Sequence, residues 1–334
     1  MVSIKDIAKK LGVSPSTVSF VLNGKEKEMR ISADLTKKIK KVAKDSGYQR
    51  NQVAVSLRTG KSKIIALIVD TITGSFFSSL AKTIEYEAQS SGYRVIYCST
   101  AHNFKKVGDL IQMLHQYHVD GYLIIPSEGM QKDIELLIAK KKPLVLIDSY
   151  FHGMAAPYVL VDNYKGVSEG ISYLIQKGYK KIAFVCNDVK MVQMEERKKA
   201  FKERMKETGL PASPQMVLKT KYNNTKEQTT EEITAFIKKV KPEAIMFAAN
   251  YLGVCGLESI KTLGLTIPGD IAVLCFDDLD VFRLYPPGIT SIRQPVEEIA
   301  KMAIQILLRE IKTNTREKDV QLQLEAQMIE RSSA

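Results

Sequence analysis

From Lys63 onward, short apolar runs recur along the chain: Ile64–Val69, Arg94–Tyr97, Gly121–Ile125, Leu144–Ile147, Val159–Val161, Ile182–Val185, Ala244–Phe247 and Ile271–Cys275. A strand that is apolar on both faces has no side for water and must be covered twice. Between most of these runs lie stretches with apolar residues at i, i+3 and i+4, such as Leu80, Ile84 and Ala88, or Ile233, Phe236, Ile237 and Val240, the spacing of one helical face. Alternating strands and helices of this kind predict doubly wound α/β layers around parallel sheets. The units are too many for one small sheet, so two subdomains are expected, with a division near Asp162-Asn163. No low-complexity tract or short repeat interrupts the scheme.

The first sixty residues follow another rule. In IKDIAKKLG, Ile4, Ile7, Ala8 and Leu11 share a helical face that Gly12 ends. Ser14 is a good N-cap, Pro15 suits the first helical position and Asn23-Gly24 terminates, so SPSTVSFVLNG is a second short helix with Val18, Val21 and Leu22 inward. Two short helices joined by a tight turn make a helix-turn-helix. After the basic loop KEKEMR, a third helix starts at the cap Ser32, buries Leu35, Ile39, Val42 and Ala43 and stops at Gly47. Phe20 lies off the buried stripe, so it either touches a partner or packs against its own module. A further segment, NQVAVSLRTG, reads as a helix capped by Asn51 with Val53, Ala54 and Leu57 on one face. It is too short to be stable alone, because isolated helices below roughly 12–15 residues are marginal in water.

Charge follows the same division. The formal net charge of +12 is concentrated in residues 1–63, which hold 15 Lys and Arg against 5 Asp and Glu. A small basic module on a nearly neutral body points to nucleic acid rather than to a merely solvated surface. The four cysteines are scattered, without a C-x-x-C, as expected of buried residues in a reducing compartment. No signal peptide or membrane-length apolar run is legible, so a soluble cytoplasmic protein without a membrane role is expected.

Open α/β sheets bind ligands at the carboxyl ends of their strands. There stand Phe76 and Phe77, Asp148, Asn250, Asp277 and Asp278. Aromatic faces beside acceptor carboxylates suit a polyhydroxylated or heterocyclic molecule, although one of the two phenylalanines could equally serve the core. Enzyme signatures are missing: there is no G-x-G-x-x-G, no G-x-x-x-x-G-K-[ST] and no G-x-S-x-G. Gly253 and Gly256 open no phosphate loop. His115 and His118 lack a third ligand and suit a solvated helix face better than a metal. Asp277-Asp278 are adjacent on a loop and are expected to point apart. No enzyme activity, metal or cofactor is expected.

These motifs together resemble the LacI/GalR family of bacterial transcription regulators over essentially the whole chain. The resemblance is carried by IKDIAKKLGVSPSTVSFVLNG, ISADLTKKIKKVAKDSGY, NQVAVSLRTGKSKIIALIV, GSFF, VDGYLIIPS, PLVLID, VDN, ISYLIQKGYKKIAFV, FDD and PPGITSIRQP, in that order. It implies an all-α helix-turn-helix headpiece at 1–49, a hinge helix and linker at 50–62, and a periplasmic-binding-protein-like core. The core N-subdomain would comprise 63–161 and 292–320, the C-subdomain 162–291 and 321–334, with crossings near Asp162, Ser291 and Gln321.

Carried over by position, Pro15, Ser16 and Phe20 match base-reading sites, and Ser3, Ser14, Thr17, Ser19 and Asn23 match backbone-contacting ones. Asn51, Ala54, Leu57 and Arg58 belong to the hinge helix, whose leucine wedges into the minor groove. Phe76, Phe77, Asp148, Asn250 and Asp277 match effector sites. The resemblance implies a homodimeric repressor on a near-palindromic DNA operator, controlled by a small-molecule effector of carbohydrate type. The chain also departs from the pattern. Phe20 replaces the usual arginine or histidine, the Lys25–Arg30 loop is longer, and Arg50 stands in place of a proline. Glu195 falls where arginine is frequent, Met191 at a second polar effector site, and Tyr251 where aspartate is usual. The missing arginine argues against an acidic or phosphorylated effector. A solute-binding protein of the same body fold, and a sugar-processing enzyme, are the competing classes. The basic headpiece weighs against the first and the missing motifs against the second.

Overall fold

The computed structural model describes residues 2–48, 56, 59–71, 74–100, 106–210 and 213–334. The described chain divides into two compact units, Met1–Ser62 and Lys63–Ala334. Among the described residues no helix is long and apolar enough to cross a membrane.

The first unit holds α1 (Ile4–Leu11), α2 (Pro15–Leu22) and α3 (Ala33–Asp45). Each begins at a serine that accepts a hydrogen bond from a backbone N–H of its own first turn: Ser3 from Asp6, Ser14 from Thr17 and Ser32 from Leu35. Such a cap satisfies a donor that the helix itself leaves unpaired. Ser3 and Asp6 reciprocate as a capping box. Gly12 closes α1 in the left-handed conformation, φ 64°, which lets the chain turn directly into α2. Ile7, Ala8, Val18, Val21, Ile39 and Ala43 form the small core. The loop after α2 is folded, not loose: Lys25 N–H donates to Phe20 C=O at 2.9 Å, and Lys40 of α3 pairs with Glu26 at 2.8 Å.

In the second unit, β1 (Ile64–Val69), α4 (Ser75–Ser90), β2 (Arg94–Ser99), α5 (Lys106–Gln116), β3 (Gly121–Ile124), α6 (Gln131–Ala139), β4 (Leu144–Ile147) and β5 (Tyr158–Val161) build the first lobe. The second contains α7 (Asn163–Gln176), β6 (Ile182–Asn187), α8 (Val192–Glu207), β7 (Val217–Thr220), α9 (Lys226–Val240), β8 (Ala244–Phe247), α10 (Asn250–Thr262), β9 (Ala272–Phe276), α11 (Asp280–Leu284) and β10 (Thr290–Arg293). Then α12 (Val296–Thr313) and β11 (Gln321–Leu324) return to the first lobe, and β12 (Gln327–Ile329) joins the second.

The sheet orders are β11-β5-β4-β3-β1-β2 and β12-β10-β9-β8-β6-β7. Among the described residues all strand pairs are parallel, as expected of doubly wound sheets, except β10 with β12, which gives the second sheet an antiparallel edge. The chain leaves the first sheet at Asp162. The later crossings fall beyond the expected Ser291 and Gln321. Ile292 and Arg293 still pair in the second sheet, and Gln321–Leu324 pairs with β5 in the first, which places those crossings at Gln294-Pro295 and Glu325-Ala326. Lys165, on the first turn of α7, binds Glu325 and so ties the first crossing to the third.

Gly253 and Gly256 let α10 lie unusually close to its sheet. A Cβ at Gly253 would come within 2.6 Å of Cys275 Sγ, and one at Gly256 would run into the Phe247 ring. The four cysteines are free and buried.

Candidate functional sites

The carboxyl ends of both sheets face one cleft of about 940 Å³. The two lobes reach it at their topological switch points, where strand order reverses between β1 and β3 and between β6 and β8. All five expected ligand residues, Phe76, Phe77, Asp148, Asn250 and Asp277, line this single cavity. Phe76 and Phe77 pack edge to face, with centroids 5.3 Å apart, and touch the apolar core while lining the cleft. Packing on the core and lining the cleft are therefore not alternatives here.

Asp148 and Asp277 occupy corresponding places, each just past a central strand and each left-handed, with φ 66° and 69°. Few non-glycine residues adopt that conformation, and here it turns two carboxylates toward one space. Burial pushes the Asp148 carboxyl up to about 6; Arg197 opposes the shift and the negative charge of Asp277 adds to it. Gln294 Nε2 donates to Asp277 Oδ1 at 2.6 Å. Asp278 points the other way, as its adjacency suggested. It accepts from Ser291 Oγ at 2.7 Å, Arg293 Nη2 at 2.6 Å and Arg331 Nη1 at 2.7 Å. Burial alone would raise the Asp278 carboxyl, but these donors hold it at about 2.

The sequence reading missed the arginine of this cleft. Met191 lines the cavity and Glu195 is exposed and does not, yet Arg197, one half-turn beyond Glu195, is 3% exposed and lines it. Its guanidinium lies 3.6 Å from the Phe276 ring centroid. Nε donates to Asn163 Oδ1 at 2.8 Å and Nη1 to Ala248 C=O at 2.6 Å. The signal was present: Met194, Arg197, Phe201 and Met205 fall on the buried stripe of α8. A cation on an apolar stripe is itself unusual.

Further cleft residues come from segments without a motif. Tyr222, after β7, hydrogen-bonds Asp70, at the end of β1, and so links the lobes; Asp70 also accepts from Thr100 Oγ1 at 3.0 Å. Two more bonds cross between the lobes: Lys190 N–H to Glu128 Oε1 at 2.6 Å, and Gln193 Nε2 to Asp148 Oδ2 at 3.4 Å. Tyr251 donates to Asn187 Oδ1 beside them.

In the first unit, Pro15 and Ser16 are exposed on the first turn of α2, and Thr17 and Ser19 are half-covered. Ser3 and Ser14 spend their hydroxyls as helix caps, and Asn23 Nδ2 donates to Ser19 C=O at 2.6 Å. Phe20 is half-buried and stands outside the packed apolar cluster of this unit. Asn51, Ala54, Leu57 and Arg58 lie outside the described residues.

Comparison with known proteins follows the same division. Residues 3–51 match the model of bacterial regulatory proteins, lacI family, and residues 171–334 match that of a periplasmic binding protein-like domain. The HTH-type transcriptional repressor PurR of Vibrio vulnificus (strain CMCP6) is 31% identical over 324 residues, covering 96% of this chain and 95% of its own. The lac repressor dimer bound to operator and the anti-inducer ONPF superposes with a TM-score of 0.87 at 19% identity, over 99% of this chain and 98% of that one. The complex of the transcriptional regulator CelR with cellobiose superposes at 0.74 and 22% identity, covering 100% of both chains.

Proposed function

Because this chain belongs to the lacI family of bacterial regulatory proteins, a DNA-binding headpiece on an effector-binding core, we propose that it is a homodimeric cytoplasmic repressor whose operator affinity is set by a neutral carbohydrate in the cleft. It acts by binding, without turnover. The observation that carries the effector class is the pair of left-handed strand-end carboxylates, Asp148 and Asp277, aimed into one cavity beside Phe76 and Phe77. Carboxylates accept hydrogen bonds from hydroxyls, and aromatic faces stack on the apolar faces of sugar rings. Arg197 does not reverse this. Its Nε and Nη1 are committed to Asn163 and Ala248, and two carboxylates surround its one charge. CelR, solved as a cellobiose complex, accords with such a ligand.

On the DNA side, α2 enters the major groove of a near-palindromic operator. Pro15, Ser16 and Phe20 meet base edges, and Ser3, Ser14, Thr17, Ser19 and Asn23 lie along phosphates. Asn51, Ala54, Leu57 and Arg58 supply the minor-groove hinge. Effector binding biases the contacts between lobes, and so operator affinity, by a coupling on the order of 1–3 kcal/mol.

The test is a thermal-shift screen of the full chain against mono- and disaccharides, sugar phosphates and nucleobases, followed by titration of the best ligand into Asp277→Ala. The expected result is stabilisation by a neutral sugar, with affinity weakened at least tenfold in the variant at an unchanged ligand-free melting temperature. Stabilisation by nucleobases alone, or equal affinity in the variant, overturns the assignment.

A further inference from the structure

Asp148 and Asp277 hold corresponding places in the two lobes, yet their turns are fixed by different means. Each is left-handed and gives its backbone N–H to the neighbouring strand, Asp148 to Val159 C=O at 3.2 Å and Asp277 to Ile292 C=O at 2.8 Å. The residue after Asp148 is Ser149, which is fully buried and whose Oγ has no hydrogen-bond partner among the described residues. The residue after Asp277 is Asp278, and its carboxylate is clamped. Arg331 donates to both of its oxygens, from Nη1 to Oδ1 at 2.7 Å and from Nη2 to Oδ2 at 3.0 Å. Such a bidentate pair sets direction as well as distance.

Arg331 follows β12 and stands outside the cavity lining, and it is itself held on every side. Its Nη1 also donates to Ile289 C=O at 2.6 Å, and its stem lies over Gly288, where a Cβ would come within 3.3 Å of Arg331 Cδ. Its backbone N–H donates to Thr290 Oγ1 at 3.1 Å, and that hydroxyl donates back to Arg331 C=O at 3.0 Å. Two residues on, Ser333 Oγ accepts from Thr290 N–H at 2.8 Å and donates to Val273 C=O at 2.6 Å, which stitches the segment to β10 and β9. The Asp278 side chain is 7% exposed and that of Arg331 14%. A buried ion pair adds little stability, because desolvation offsets most of the attraction. What this one supplies is a fixed point between Asp277 and Leu279, both of which line the cleft. The left-handed backbone of Asp277 persists only where its surroundings over-determine it.

We propose that Arg331 is a positioning residue of the effector site: by holding Asp278 it fixes the left-handed turn that aims Asp277 into the cleft. The matching turn of the first lobe is held by the burial of Ser149 instead. Without Arg331 the buried Asp278 carboxylate seeks water, the turn relaxes, and the neighbouring Asp277 loses its aim while Asp148 keeps its own. Effector affinity is thus set in part by a side chain that does not touch the effector. This inference rests on the reading of Asp277 as an effector contact and extends it to the segment after β12.

The test is a double-mutant cycle in the full chain, with Arg331→Gln, Asp277→Ala and the two combined. Each is titrated by calorimetry with the mono- or disaccharide that most stabilises the unaltered chain in a thermal-shift screen. The expected result is about tenfold weaker sugar binding in Arg331→Gln, and a double variant that binds no more weakly than Asp277→Ala alone. A merely structural role lowers the ligand-free melt but does not make the two losses overlap. If Arg331→Gln fails to fold, Arg293→Gln takes its place in the cycle, because Arg293 donates to the same carboxylate at 2.6 Å from a side chain that is 52% exposed. The same overlap is expected there, with a smaller loss. Unchanged sugar affinity in the folded variant, or losses that add in the double variant, overturns the inference while leaving Asp277 an effector contact. Unchanged affinity in Asp277→Ala, or a chain that no sugar stabilises, overturns the reading on which it rests as well.

Discussion

Asp148 and Asp278 titrate in opposite directions although both sit at strand ends, and the contrast can be tested by pH. The folded value for Asp148, about 6, lies above the ordinary 3.8. Between those values the folded chain holds a proton that the unfolded chain has lost, so this residue makes stability rise as pH falls from above 6 toward 4. Asp278, at about 2, contributes stability that is complete above 3.8 and is lost only as pH falls toward 2. Melting curves between pH 5 and 7.5 therefore report Asp148 and not Asp278. The expected outcome is a gain on the order of 1 kcal/mol toward pH 5 that Asp148→Asn abolishes. Effector affinity moves the other way, because protonation removes an acceptor, and titrations at the same pH values check it. Affinity constant across this range would show that the effector does not use the ionised Asp148. At the same scale, Phe20 offers an apolar ring and no hydrogen bond, which suits a thymine methyl, whereas arginine reads guanine. Phe20→Arg is expected to shift operator preference at one symmetric position from A·T to G·C. An unchanged binding-site profile would assign Phe20 to packing within the headpiece. The strand-end residues were legible in the sequence because strand ends are legible. Arg197 was not, because EERKK reads as a solvated run unless the buried stripe through Met194 and Phe201 is traced first.

Elements declared themselves in proportion to how completely they are buried. The eight strands read from the sequence correspond to interior strands such as β3, β4 and β8, whose residues are buried throughout, together with β2, which keeps apolar residues despite its edge position. The four that escaped are β7, β10, β11 and β12. Three of these are sheet edges where only part of each strand is covered, so QLQL and VLKT carry no apolar run. The fourth, β10, is interior but buries Thr290 and Ser291, whose hydroxyls bind Arg331 C=O and Asp278. A strand that buries polar groups against specific partners has no periodic signature. The close approach of α10 to its sheet was equally hidden, since two glycines four residues or fewer apart have many uses. The approach predicts that Gly256→Ala, a helix-favouring change on a free surface, destabilises this protein, because the added methyl collides with Phe247. The expected cost is about 1–3 kcal/mol, read as a lower midpoint in urea unfolding. A stabilised variant would mean that α10 can move off the sheet without loss.

At the scale of the molecule, charge and contact divide the chain at nearly the same place. Residues 1–63 carry most of the net charge, and the compact units separate at Ser62. Among the described residues, the first unit has its own core of six buried residues and three capped helices, while those lining the cleft all lie beyond Lys63. The proposed function assigns operator binding and effector binding to these two separately cored parts, so deleting residues 1–61 should remove one and spare the other. The expected outcome is loss of specific DNA binding in a gel-shift assay, with the sugar-induced thermal shift of the core retained. Phosphate contact by a strongly basic unit releases counterions from DNA, so the affinity of the intact chain should fall steeply, as a straight line in log Kd against log salt. The truncated core, with nearly balanced charge, should show no such line. A flat salt dependence of the intact chain would mean that the basic residues of the first unit do not neutralise phosphates, and specific binding by the truncated core would move the DNA site into the second unit.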